Sequence, residues 1–167
     1  MRLVLLAGLL ALLPVTAGAA GLVPVDVDQS AVDRSMAPRK LALVIGVSAY
    51  DDPLFTPLAF ARNDARSMAD VLSNDGWGDY DDVRTITAAA ETTADNITDA
   101  LDDLLDSAGP KDTVLVYVSG HGTLDLDWQQ QPELFLVATD TRKDDLPRTA
   151  LRLRELQDRI GESAAQR

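Results

Sequence analysis

The sequence predicts an α/β fold, a mostly parallel β-sheet with helices on both faces. Two observations carry this. Short apolar runs of strand length alternate with stretches whose apolar residues recur every three or four positions, in the order strand, helix, strand, helix, strand, strand, helix. The runs at residues 41–47 (LALVIGV) and 114–118 (VLVYV) contain no polar member, as strands buried on both faces require.

The domain does not begin at the first residue. Met1-Arg2 is a short basic region, residues 3–13 are an apolar run broken by Pro14, and Ala17-Gly18-Ala19 supplies small residues at a cleavage-site spacing. The run is shorter than the roughly 20 apolar residues a bilayer span needs. Residues 1–19 are therefore read as a cleaved signal peptide, and the mature chain as exported, periplasmic or extracellular, without a membrane span. Residues 20–39, with Pro24, Pro38 and scattered charges, read as a tether. The domain is expected over residues 40–167.

Within it, residues 41–47 form the first strand. Ala61, Ala65, Met68 and Leu72 then recur at helical spacing between about residues 57 and 74. The helix start is open between Thr56-Pro57 and Asn63, and Gly76 suits its C-terminal cap. Residues 83–87 (VRTIT) read as a short strand. Thr93 is placed to cap a second helix with Ile97, Ala100, Leu101, Leu104 and Ala108 on one face and aspartates on the other. Residues 114–118 follow as a buried central strand, and residues 123–132 as a polar loop. Residues 133–139 (ELFLVAT) read as another strand, before a final amphipathic helix with Leu153, Leu156 and Ile160. No glycine-rich phosphate loop is present, and Asn96-Ile97-Thr98 is a glycosylation sequon on a helix.

Charge and cysteine content narrow the chemistry. Lys and Arg number 15 against 27 Asp and Glu, a net charge of −12. Nucleic acid and anionic membranes are disfavoured as partners; a basic peptide would be attracted, although acidity also serves simple solubility. No cysteine occurs, which removes disulfides and thiolate metal sites.

The one histidine, His121, stands at the carboxyl end of the 114–118 strand in Ser119-Gly120-His121-Gly122. Open α/β sheets present their chemistry at strand ends. Three readings exist. The imidazole is structural, or a metal ligand (disfavoured for zinc without a second His or Cys), or a general base beside glycines that admit a substrate backbone.

Together, the apolar strand LALVIGV, the motif Asn63-Asp64-Ala65 opening a helix, and VLVYVSGHG resemble the large catalytic subunit of caspase-like cysteine peptidases (clan CD), in their bacterial metacaspase-like branch. The resemblance runs from about Lys40 to the C-terminus and implies a three-layer α/β/α sandwich of the caspase type, C-terminally incomplete. It implies that His121 is the general base and that the Gly122 N–H contributes to an oxyanion hole. Asp64 would line the primary specificity pocket, directing cleavage after Arg or Lys in a peptide or protein substrate. As the alternative, Asp64 is an ordinary acid in a helix first turn. Arg62 is read as a surface residue. Many relatives carry a non-catalytic cysteine three residues before this aspartate, where Ala61 stands here.

The departure from the pattern is the nucleophile. In caspases the histidine lies roughly 50 residues upstream of the catalytic cysteine, which points to about position 171, beyond Arg167. The expectation is a fragment or truncated frame, inactive as it stands, with the sheet edge beside VLVYV left unpaired. The competing expectation is an exported pseudopeptidase that binds without cutting. A small-ligand α/β domain is a third, requiring both motifs to be coincidences. No cofactor is expected. Calcium, on which some metacaspases depend, would find oxygen ligands in Asp125, Asp127, Asp140, Asp144 and Asp145. None of these falls in a calcium-loop spacing, and they are read as an acidic surface.

Overall fold

The computed structural model describes residues 37–126 and 129–165. The signal-peptide reading of residues 1–19 and most of the tether fall outside them, as does Asp127. Strands β1 (Lys40–Gly46), β2 (Asp82–Ile86) and β3 (Thr113–Ser119) form a three-stranded parallel sheet in the order β2-β1-β3. Its crossovers are helices α1 (Ala61–Leu72) and α2 (Ala94–Ser107). Residues Leu41, Leu43, Ile45 and Val47 point to one face and pack with Ile97, Leu101 and Leu104 of α2 and Leu156 of α4 (Leu153–Glu162). Ala42 and Val44 point to the other and pack against Ala65 and Leu72 of α1. Strand alternation thus builds three layers, helix on sheet on helix, and the expected α/β class holds.

Four expectations need correction. Among the described residues the central strand is β1, not the 114–118 run; β3 pairs there with β1 alone, and all seven of its residues are only half-buried. A run without polar residues has the same sequence whether one or both of its edges are covered.

The segment read as a polar loop contains strand β4 (Gly122–Leu126), which pairs antiparallel with β5 (Pro132–Leu136). The short β6 (Leu151–Arg152) completes this second sheet, after α3 (Leu146–Thr149). The strand expected over residues 133–139 therefore leaves the main sheet and is shorter. Residues Val137, Ala138 and Thr139 instead run on as buried chain outside the strand, with the Val137 N–H on the His121 carbonyl.

Gly76 does not cap α1, which ends at Leu72 with the Ser73 N–H on the Ala69 carbonyl at 2.9 Å and the Asn74 N–H on the Val71 carbonyl at 3.4 Å. Gly76, at φ +88°, turns the chain a few residues later, where its N–H donates to Asp79 at 2.7 Å.

Two contacts fix α1 on the sheet. Its first turn is capped from a distance: Arg62 N–H donates to the Ser48 hydroxyl at 3.0 Å, and Phe60 at the N-cap contributes no side-chain bond. Gly46, at the end of β1, lets that turn sit directly on the sheet, since a Cβ there would lie 2.8 Å from the Ala61 carbonyl and from the Ala65 Cβ. At α2 the sequence reading holds, and Thr93 Oγ1 accepts the Asn96 N–H at 3.3 Å.

Candidate active site

The carboxyl end of β3 delivers Ser119, Gly120 and His121 to the rim of the parallel sheet. The half-buried His121 sits under the loop that follows β1. Its Nε2 lies 2.8 Å from the Thr56 carbonyl oxygen. A carbonyl only accepts, so Nε2 carries the proton and, in the neutral ring, Nδ1 keeps the lone pair. The His121 backbone N–H donates to the Tyr50 hydroxyl at 3.1 Å, which in turn donates to the Val47 carbonyl at 3.0 Å. The Tyr50 ring lies 5.0 Å from the imidazole and that of Phe55 lies 6.4 Å from it, centroid to centroid. Burial pushes the Tyr50 phenol above its ordinary pKa, opposed in part by the His121 N–H. The proton of Tyr50 is thus held, and its hydroxyl works as a relay of fixed geometry.

The covering loop is itself fastened. Asp51 N–H donates to the Thr139 carbonyl at 2.8 Å, and the Asp52 carboxylate accepts the Lys143 N–H at 2.7 Å and the Leu54 N–H at 2.9 Å. These two amides hold the Asp52 carboxyl below the usual range. The Lys143 ammonium stands 5.1 Å from the Phe55 ring centre. A cavity of about 190 Å³ opens beside the imidazole, lined among others by Thr56, His121, Gly122 and Lys143.

Gly122 opens β4. The Val137 N–H donates to the His121 carbonyl at 2.9 Å, which makes Gly122–Leu136 the non-hydrogen-bonded pair of the ladder. Its N–H and C=O therefore face away from β5, the orientation a donor to an incoming carbonyl needs. A Cβ at this position would meet only ordinary contacts, so its own fold does not demand glycine there.

Asp64 lies exposed in the first turn of α1, and the Ser119 hydroxyl donates to its Oδ2 at 3.5 Å. The structure thus brings the carboxylate to the strand that carries the histidine. Arg62 is exposed. Tyr50, Phe55 and the Thr56 carbonyl escaped sequence reasoning, since a backbone carbonyl leaves no side-chain signature and residues 51–57 have no period.

Of the aspartates considered for calcium, Asp140 accepts the Ala94 N–H at 2.8 Å. Asp144 pairs with Arg142 and Asp145 with Arg148. Among the described residues, no group of three or more His, Cys, Asp or Glu is placed to hold a metal ion. No described helix is long and apolar enough to cross a membrane.

The structure is a parallel α/β sandwich with an oriented imidazole, an outward N–H and a carboxylate brought to one strand end, the place where open α/β sheets bind ligands. The chain belongs to the caspase-domain family, whose sequence model matches residues 39–158. Its fold is also similar to the crystal structure of protein GSU0716 from Geobacter sulfurreducens, with a TM-score of 0.61 and 21% identity over 77% of this chain and 48% of that one. At that identity the likeness is one of fold, and this chain spans about half of the other's length. No curated protein matches the sequence.

Proposed function

We propose that the chain is a caspase- and metacaspase-like cysteine-type endopeptidase domain that recognises Arg or Lys before the scissile bond. The observation that carries the reading is the 2.8 Å contact of His121 Nε2 with the Thr56 carbonyl. It fixes the ring and its tautomer, so that Nδ1 is the atom that takes a proton from the attacking thiol and later returns it to the leaving amine. The outward N–H of Gly122 is one donor to the developing oxyanion. Asp64 pairs with the basic side chain of the substrate, a charge-assisted contact that either Arg or Lys satisfies. The reading needs no cofactor, calcium included. It places the domain outside the cytoplasm, on the strength of residues 1–19.

No cysteine occurs among the 167 residues. A thiolate must therefore come from outside them, and these residues alone do not turn over substrate. The same absence favours a second reading, an exported module that binds a basic segment at this site without cutting it.

Binding and turnover test both. Titration with a short peptide amide ending in Arg should show tighter binding than its Asp counterpart. Asp64→Asn should weaken the Arg peptide by about 10- to 100-fold, the range for a hydrogen bond to a charged group. No Arg- or Lys-based fluorogenic peptide should be hydrolysed. Preference for the Asp peptide would overturn the specificity, and hydrolysis abolished by His121→Ala would overturn the need for a thiol.

A further inference from the structure

We propose that the open edge of β4 is a primed-side subsite, binding the residues that follow the scissile bond as an added parallel strand with apolar side chains. The inference rests on the reading of His121, Gly122 and Asp64 given above and extends it to the substrate's other half. β4 is the outer strand of its sheet, in the order β4-β5-β6. Since Gly122–Leu136 is a non-hydrogen-bonded pair, so is Leu124–Leu134 two residues on. The N–H and C=O of Gly122 and Leu124 thus face outward along one edge, in the disposition by which sheet edges capture extended peptides. The edge closes after that, because the Leu126 N–H is taken by the Asp125 carboxylate at 2.7 Å. The recognition segment is short and starts at the candidate oxyanion donor itself.

That origin sets the register. If the scissile carbonyl accepts from the Gly122 N–H, a parallel pairing puts the amide of the second residue past the bond on the Gly122 C=O. The carbonyl of that same residue then accepts from the Leu124 N–H. Parallel direction comes from Asp64. The carboxylate meets Ser119, before the histidine, while β4 departs after it, so a substrate with its basic side chain at Asp64 leaves along β4 with its primed residues.

Side-chain chemistry agrees. Leu124 and Leu134 are cross-strand partners on one face, 69% and 43% exposed, and Leu126 on that face is 45% exposed. Three leucines left this open beside a site that must receive a peptide favour apolar residues past the cut.

The test compares four peptides by calorimetric titration of the intact chain: one ending at Arg as the amide; one continued past Arg by three valines; that same peptide N-methylated at the second valine; and one lengthened by three valines on the amino side instead. The carboxyl-side extension should bind about tenfold more tightly than the short peptide, the worth of two added hydrogen bonds. N-methylation should abolish the gain. Leu124→Ser, at an exposed position, should reduce the gain and leave the short peptide unaffected. Hydrogen exchange on the unmodified chain gives an independent readout, slowed at the Leu124 amide by the extended peptide only. Equal affinity of the short and extended peptides, or a gain only from the amino-side extension, would overturn the subsite while leaving the pairing of Asp64 with Arg intact. Failure of all four to bind would overturn both.

Discussion

The carbonyl oxygen of Thr56 stands 2.8 Å from Nε2 of His121, and these two atoms come from elements 65 residues apart. The imidazole belongs to the end of β3 and the carbonyl to the loop after β1, the strand at the centre of the sheet. Parallel pairing of β1 with β3, from Lys40–Thr113 to Gly46–Ser119, brings the two strand ends level. The Val47 N–H on the Ser119 carbonyl at 2.9 Å carries that register past the strands. The site is a consequence of strand register before it is one of side chains.

Tyr50→Phe tests the relay beneath the ring. The substitution keeps the aromatic contact but leaves the His121 N–H and the Val47 carbonyl without the hydroxyl that joins them. Because Tyr50 is only half-buried, a loss of about 1 kcal/mol is expected, at the low end of the cost of an unmade hydrogen bond. Urea unfolding with an unchanged slope and a lower midpoint is the expected result.

Gly46→Ala should act on both stability and binding. Its methyl group meets the Ala61 carbonyl and the Ala65 Cβ at 2.8 Å, backbone and short side chain that cannot swing aside. Overpacking of this kind costs about 1–3 kcal/mol. The first turn of α1, which holds Asp64, must shift to relieve it. Chemical denaturation should show the loss, and affinity for an Arg-ended peptide should fall although no substituted atom touches the peptide.

Acid should loosen the clamp at Asp112. This buried carboxylate accepts the Arg39 Nε–H at 3.0 Å, the Gly109 N–H at 2.9 Å and the Arg39 N–H at 2.8 Å. Arg39 first, then the two amides, lower its pKa to about 2. A carboxyl held lower when folded than when unfolded stabilises above its unfolded value, roughly pH 4, and loses that contribution as pH falls toward its folded value. The melting temperature should therefore drop between about pH 4 and pH 2, and Asp112→Asn should flatten the drop across that window.

Much of the fold was legible because it is written in continuous apolar runs and local caps. Leu41, Leu43 and Ile45 on one face of β1, with Ala42 and Val44 on the other, require cover on both sides. Thr93 announces α2 by the local bond it makes. Less was legible where partners are distant or burial is one-sided. β4 reads as a loop because Leu124 and Leu126 stay open to solvent and the residue between them is polar. The cap of α1 lies at Ser48, 14 residues from the amide it accepts, too far for any local motif. Of the candidate site, His121, Gly122 and Asp64 are candidates that their motifs offer, whereas the atom that orients the histidine is a main-chain oxygen.

That oxygen makes the central claim measurable. His121 is the only histidine, so a chain labelled with ¹⁵N in histidine gives one pair of ring signals. In the neutral ring, two-bond ¹⁵N–¹H correlation should show the proton on Nε2 and an unprotonated Nδ1, the base of the proposed mechanism. A neutral ring protonated on Nδ1 would contradict the Thr56 bond and the role built on it.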